Sequence, residues 1–118
     1  MGDYSFSVVR GDNVKQPFKL TLDNSRSLAG DESWALTARV DPTTAVLISL
    51  TTANGGITVG TVGGSANQPT AVFKDATFTA ITRQAGDLEL KYDLQMTKDG
   101  NIETMVIDEL TVQMDMTV

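Results

Sequence analysis

The chain has 118 residues, 41% of them hydrophobic, and nine Lys and Arg against fifteen Asp and Glu give it a formal net charge of -6. Histidine and cysteine are both absent, which excludes an imidazole base, thiolate metal sites and disulfides. The acidity argues against a nucleic-acid partner, because binding a phosphate backbone needs a basic face. No apolar run is long enough to span a membrane, so no membrane partner is expected. We predict one domain over residues 1–118, with a core that folds without cross-links.

The first half of the chain predicts short strands separated by turn residues. Val14 to Leu22 alternates apolar and polar side chains, as a strand with one buried face does. Pro17 lacks an N–H and marks this strand as an edge or as the place of a bulge. Trp34 to Asp41 alternates in the same way and ends before Pro42. The other strands expected in the first 73 residues are Phe6–Val9, Leu47–Thr51, Ile57–Val59 and Thr70–Phe73.

Two stretches in the middle of the chain are expected to be irregular. Gly60 to Pro69 is rich in Gly, Ser, Asn and Gln, a composition that predicts a flexible loop. Asp75 to Gln84 is ambiguous and fits a short helical turn, with Asp75 or Thr77 as the N-cap.

The strongest pattern is a β-hairpin between Gly86 and Val112. Apolar residues take every second position of its first strand, with charged and polar residues between them: Leu88, Leu90, Tyr92, Leu94 and Met96. This spacing gives one apolar and one charged face. The segment from Thr97 to Asn101 supplies turn chemistry, with Gly100 able to take a positive φ. The first core prediction is that Trp34, Leu36, Leu90, Tyr92 and Leu94 are largely buried.

The return strand carries apolar residues at even positions: Ile102, Val106, Leu110 and Val112. The charged pair Asp108-Glu109 interrupts it and predicts a bend or bulge where the strand changes sheet. Short strands with turn signals about every eight to twelve residues predict an all-β antiparallel sandwich of about seven to nine strands.

Three groups of residues are weighed as functional sites, and each has a simpler interpretation. Arg10-Gly11-Asp12 matches the integrin-binding tripeptide, but Gly-Asp is ordinary turn chemistry. Four acidic residues are a weak candidate for calcium because no Asp-x-Asp-x-Asp-Gly loop is present, and solvated strand ends are favoured: Asp23, Asp31, Glu32 and Asp41.

The third group consists of strand carboxylates, the residue type that glycosidases use in catalysis. Asp87, Glu89 and Asp93 share one polar face with Lys91 and Gln95, instead of facing each other across a cleft. No nucleophile lies in a motif with a base, so no enzymatic activity, metal or cofactor is expected.

A series of short motifs runs through nearly the whole chain. They are Arg10-Gly11-Asp12, Phe18–Leu22, Ser27–Gly30, Ala38–Val40, Gly55–Val59, Gly86–Leu94, Asp99-Gly100 and Leu110–Thr117. In this order and spacing they resemble the N-terminal immunoglobulin-like domain of phage baseplate upper proteins and of related phage tail and fibre proteins. Glu109 departs from the pattern, which has a small residue or Gly there.

The resemblance implies an immunoglobulin-like antiparallel β-sandwich that is a non-enzymatic structural protein of the virion. It implies a protein that docks on or joins tail, baseplate or neck components, with other virion proteins as partners. Relatives continue into further domains, and we expect no room for a second, host-binding domain in 118 residues.

Two other functions remain open. One is decoration of the capsid as a cement protein. The other is a module that binds glycans or a host surface through the loops from Asn54 to Asn67, since the loops of sandwich folds commonly carry recognition.

We also expect the protein to act as repeated copies in a symmetric assembly. A sandwich has open sheet edges, and the first strand and the strand from Leu110 to Val118 are the candidate edges. Met105, Met114 and Met116 would give such an edge a soft, adaptable docking surface. The alternative, that these methionines fill the core, is equally open.

Overall fold

The fold is described from a computed structural model that covers residues 4–20, 28–82 and 84–114. These residues form eight strands and one short 3-10 helix, Asp75–Phe78. The strands are β1 (Phe6–Val9), β2 (Val14–Pro17), β3 (Ser33–Arg39), β4 (Ile48–Thr51), β5 (Ile57–Val62), β6 (Ser65–Phe73), β7 (Leu88–Lys98) and β8 (Asn101–Gln113). The expected all-β sandwich of seven to nine strands is confirmed.

The strands form a five-stranded sheet in the order β1-β8-β7-β3-β4 and a three-stranded sheet in the order β2-β6-β5. Five of the strand pairs are antiparallel, but β1 runs parallel to β8, with Phe6 opposite Leu110. The chain changes sheets four times: between β1 and β2, β2 and β3, β4 and β5, and β6 and β7. As the sequence predicts, Pro17 lies in an edge strand, because β2 is the outer strand of its sheet.

The core lies between the two sheets and is built on aromatic side chains. The predicted core residues are all confirmed, each at most 2% exposed: Trp34, Leu36, Leu90, Tyr92 and Leu94. The ring of Phe6 lies 5.4 Å from that of Tyr92 and 5.9 Å from that of Phe73, so it contacts both sheets. Such edge-to-face ring contacts stabilise the packing beyond the apolar area that they bury.

The hairpin of β7 and β8 has a two-residue turn, Asp99-Gly100. Their φ values of 52° and 81° are both positive, as a type I′ turn requires, so the predicted conformation of Gly100 is confirmed. Gly63-Gly64 uses the same device, with φ values of 56° and 86°, to join β5 to β6.

The flexible loop predicted from Gly60 to Pro69 is therefore wrong, because strands fill most of it. Its polar residues serve long-range hydrogen bonds: Gln68 Oε1 accepts from the backbone N–H of Leu20, at 2.8 Å, and Asn67 Nδ2 donates to the carbonyl of Leu28, at 2.9 Å.

A bulge in β8 changes which of its residues face the core. Leu94 lies opposite Val106, whereas Gln95 lies opposite Thr104, so Met105 is the additional residue. Ile102, expected on the core face, consequently lies on the outer face opposite Thr97.

The predicted break at Asp108-Glu109 is also wrong, because β8 continues through both residues within one sheet. Asp108 is buried and holds the start of the chain. Its carboxylate accepts from the backbone N–H of Tyr4, at 3.0 Å, and from that of Glu109, at 2.8 Å.

The helical turn that was left open is present as the 3-10 helix. Its N-cap is Lys74, which corrects the choice of Asp75 or Thr77, and the Thr77 hydroxyl accepts from the Lys74 N–H at 3.0 Å. The ring of Phe78 stacks on that of Phe73 at 6.1 Å. In the part of the chain that the structure describes, no helix has the length and apolar character needed to cross a membrane.

Candidate docking surface

Two isoleucines on β8 are the most exposed large hydrophobic residues described. Ile107 is 77% exposed and Ile102 is 67% exposed. They lie on the outer face of the five-stranded sheet, opposite Asp93 and Thr97. Both therefore sit on a strand that is paired with β7 rather than on a loop.

A shallow open depression of about 280 Å³ adjoins Ile107. Its lining includes Thr37, Arg39, Pro42, Lys91, Asp93 and Ile107. The Thr37 hydroxyl donates to Asp93 Oδ1 at 2.7 Å, and Lys91 Nζ lies 3.8 Å from Glu109 Oε2. We call Ile102, Ile107 and this depression the hairpin face.

The charge of the protein is concentrated on the same hairpin. Residues 84–114 contain seven acidic and two basic residues, a formal charge of -5. The other described residues, 4–20 and 28–82, contain five of each and are neutral. The hairpin as a whole is therefore acidic, whereas the charged side chains beside Ile107 are of both signs: Arg39, Lys91, Asp93 and Glu109.

The predicted edges are partly correct. The first strand, β1, is an edge of the five-stranded sheet. The segment from Leu110 to Gln113 is not, because it lies between β1 and β7. Among the described strands, only β7 pairs with the part of β8 before Leu110, so the other side of that part is open. Residues 115–118 lie outside the described part of the chain.

The three methionines proposed as a docking edge occupy different places. Met114 is buried in the core, and Met105 is half-buried at the bulge and packs against the core. Met116 lies outside the described residues. The position of Met114 matches the core-filling alternative, and a docking role for Met105 stays a prediction.

Arg10-Gly11-Asp12 forms the turn that carries the chain from one sheet to the other. Gly11 has a φ of 90°, and the N–H of Asp12 donates to the carbonyl of Val9 at 3.1 Å. Arg10 Nε donates to the carbonyl of Ile81 at 2.9 Å. The arginine side chain thus anchors the segment that follows the 3-10 helix, as the turn interpretation expects.

The described acidic residues weighed as a calcium site bond to protein groups, and Asp31 and Glu32 share Lys98 as an ion-pair partner. Glu32 accepts from the backbone N–H groups of Ala29 and Gly30, at 2.8 and 2.9 Å, and Asp31 lies 3.5 Å from Lys98 Nζ. The carboxylate of Asp41 accepts from Thr43, which lowers its pKa. In the described ranges no group of three or more acidic residues is placed to hold a metal ion; Asp23 falls outside them.

The recognition loops expected between Asn54 and Asn67 are largely strand. Asn54 itself is used within its own turn, where its Oδ1 accepts from the N–H groups of Thr51 and Gly56 at 2.9 and 2.8 Å.

Sequence reasoning missed the hairpin face, although the adjacent apolar pair Val106-Ile107 was a signal, since neighbours on a strand face opposite sides.

The chain was compared with protein-family models, with curated proteins and with solved structures. None of the three comparisons finds a match. The hairpin face and the motifs along the chain are therefore the features that bear on function.

Proposed function

We propose that this protein is a non-enzymatic structural part of a bacteriophage particle and that it joins tail, baseplate or neck components through the hairpin face. The observation that carries the docking role is the pair of exposed isoleucines on a hairpin with a formal charge of -5. The motifs that resemble phage baseplate upper proteins support the assignment to a virion.

The exposed isoleucines and the charged side chains near them correspond to the two parts of a protein interface. Apolar side chains that insert into a partner supply most of the binding energy, and a polar rim supplies specificity. Ile102 and Ile107 are suited to the first role, and the charged side chains of both signs beside Ile107 are suited to the second. The partner that fits is another virion protein with an apolar pocket and charged groups of both signs around it, and the formal charge of -5 on the hairpin as a whole favours a basic partner.

Rigidity of the supporting sheet favours this role. Tyr92, which lines the depression, is buried and packs against the rings of Phe6 in β1 and of Phe18, the residue after β2. β7 is paired on both sides, with β3 and β8. The backbone of such a sheet is already ordered before binding, which lowers the entropic cost of docking.

The test begins with purified particles of the phage that encodes the protein. Mass spectrometry is expected to detect the chain at a fixed copy number, and its absence from particles would overturn the proposal. Cryo-electron microscopy of the same particles then locates it. Density at the tail, baseplate or neck is the expected result, and density on the capsid surface would replace this placement with capsid decoration.

A further inference from the structure

The longest uncharged stretch of the chain forms an open sheet edge. Residues 42–73 contain no Asp, Glu, Lys or Arg, although 20% of the chain is charged. This stretch folds into β4, β5 and β6. β5 is the outer strand of the three-stranded sheet, and within the described residues no strand pairs with its far side.

Natural proteins protect open edges with charge, proline, bulges, shortness or a covering segment. The other open edges here have such protection. β2 carries Lys15 and Pro17, β1 and β4 have four residues each, β4 also contacts the 3-10 helix, and β8 has the Met105 bulge. β5 has six residues without charge or proline, and its irregularity lies at one end, between Gly60 and Val62.

The register shows which backbone groups of β5 face outward. The N–H of Val72 donates to the carbonyl of Gly56 at 2.8 Å. Gly56 and every second residue after it therefore direct their backbone groups at β6. Antiparallel ladders alternate, so the N–H and C=O groups of Ile57 and Val59 point away from β6. They are available to another strand.

The core is also uncovered at this edge. Val59 lies on the same face as Ile57 and opposite the buried Pro69, yet it is 36% exposed. An apolar residue added beside Val59 would extend the core.

We propose that β5 pairs antiparallel with β5 of a second copy, with Val59 facing Val59 across a two-fold axis. In this register Ile57 and Val59 direct their free backbone groups at the second copy, and both Val59 side chains lie on the core face. No charged side chain lies within either strand, whereas contact through the acidic hairpin would bring two formal charges of -5 together. The result is one six-stranded sheet.

The absence of cysteine allows a direct test on the purified protein. Opposed residues of a hydrogen-bonded antiparallel pair have Cα atoms about 5.5 Å apart, within the range of a disulfide. Val59→Cys is expected to form a disulfide dimer rapidly under mild oxidation. Ile107→Cys is the control: it is more exposed, so random collisions would link it faster. Equal or faster linking of Ile107→Cys would overturn the pairing.

A second measurement does not depend on oxidation. Sedimentation velocity of the unmodified protein is expected to show a dimer whose fraction increases with protein concentration. The substitution Val59→Pro is expected to abolish this dimer. Proline is tolerated at this position because the lost N–H points outward, and circular dichroism verifies that the sheet is retained. A monomer at every concentration, or a dimer unchanged by Val59→Pro, would overturn the proposal. Because both tests use protein in solution, they fail or succeed independently of the phage assignment.

Discussion

At the scale of single residues, buried polar groups fix the start of the chain to the hairpin. The Tyr92 hydroxyl donates to the carbonyl of Tyr4 at 2.6 Å, while Asp108 accepts from the Tyr4 N–H at 3.0 Å. Burial, followed by the nearby Asp108 carboxylate, raises the pKa of Tyr92 well above its ordinary value of 10.0. The hydroxyl therefore stays a donor throughout the neutral range.

Removal of that hydroxyl is expected to destabilise the fold. Tyr92→Phe leaves the Tyr4 carbonyl without its buried donor, which costs about 1–3 kcal/mol of unfolding free energy in urea. The matched control is Tyr4→Phe, because the Tyr4 hydroxyl donates to the carbonyl of Lys19 at an exposed position. We expect a smaller loss for the control, and equal losses would contradict this account of Tyr92.

Glu32 makes stability depend on pH. Burial raises the pKa of its carboxyl, but the N–H groups of Ala29 and Gly30, together with Lys98, lower it more, so the net pKa lies below the ordinary value of 4.5. A carboxyl with a lowered folded pKa stabilises the fold above the unfolded pKa. That contribution is lost as the pH falls from about 4.5 through the folded pKa.

Glu32→Gln is therefore expected to cost about 1–2 kcal/mol at pH 7, because charged hydrogen bonds become neutral ones. The difference from the unmodified protein shrinks as the pH falls below about 4.5. Urea unfolding at several pH values measures it. Asp31→Asn is the control, since that side chain is 70% exposed and its ion pair contributes little. A difference independent of pH would contradict the argument.

At the scale of elements, both strands of the β7–β8 hairpin contribute buried side chains to the core. Leu90 lies opposite Leu110, and both are buried. Leu90→Ala is expected to lower the unfolding free energy by about 2–5 kcal/mol, through lost apolar burial and the cavity left behind. Glu89→Ala, one residue away on the outer face, is expected to change it little. Near-normal stability of Leu90→Ala in urea would show that the face assignment is wrong.

The turn of that hairpin depends on Gly100. Its φ of 81° is unfavourable for residues with a Cβ and most of all for β-branched ones, although no atom lies within 4 Å of the added carbon. Gly100→Val is expected to cost at least about 1 kcal/mol, and Gly100→Asn less, because asparagine tolerates positive φ. An unchanged melting midpoint for Gly100→Val would refute this.

The sequence predicted the elements whose alternation is uninterrupted and whose one face is buried, such as β7 and β3. It did not reveal the bulge at Met105. One extra residue moves all following side chains to the opposite face of the strand, but in the sequence it only interrupts the apolar-polar alternation. The polar and glycine-rich composition of Gly60 to Pro69 predicted a loop. In the structure its glycines form a tight turn between two strands, and its amide side chains make hydrogen bonds to distant backbone groups. The exposed position of Ile102 follows from the bulge and was missed with it.

At the scale of the whole molecule, our two proposals use different parts of the sandwich. The hairpin face would dock a different protein through its apolar anchors, and the formal charge of -5 on the hairpin as a whole favours a basic one. The β5 edge is uncharged and self-complementary, which suits a second copy. Together they would let paired copies connect neighbouring components of a particle, as the expected symmetric assembly requires.

The measurement that tests the central claim most directly is the copy number of an Ile107→Ser variant in particles. A phage lacking the gene is complemented with the variant, with Val46→Ser, which alters another exposed apolar residue, or with the unmodified protein. Quantitative mass spectrometry then counts incorporated chains. Loss of an anchor residue costs about 2 kcal/mol or more, so Ile107→Ser is expected to be incorporated about tenfold less or worse, and Val46→Ser normally. Normal incorporation of Ile107→Ser would contradict docking through the hairpin face.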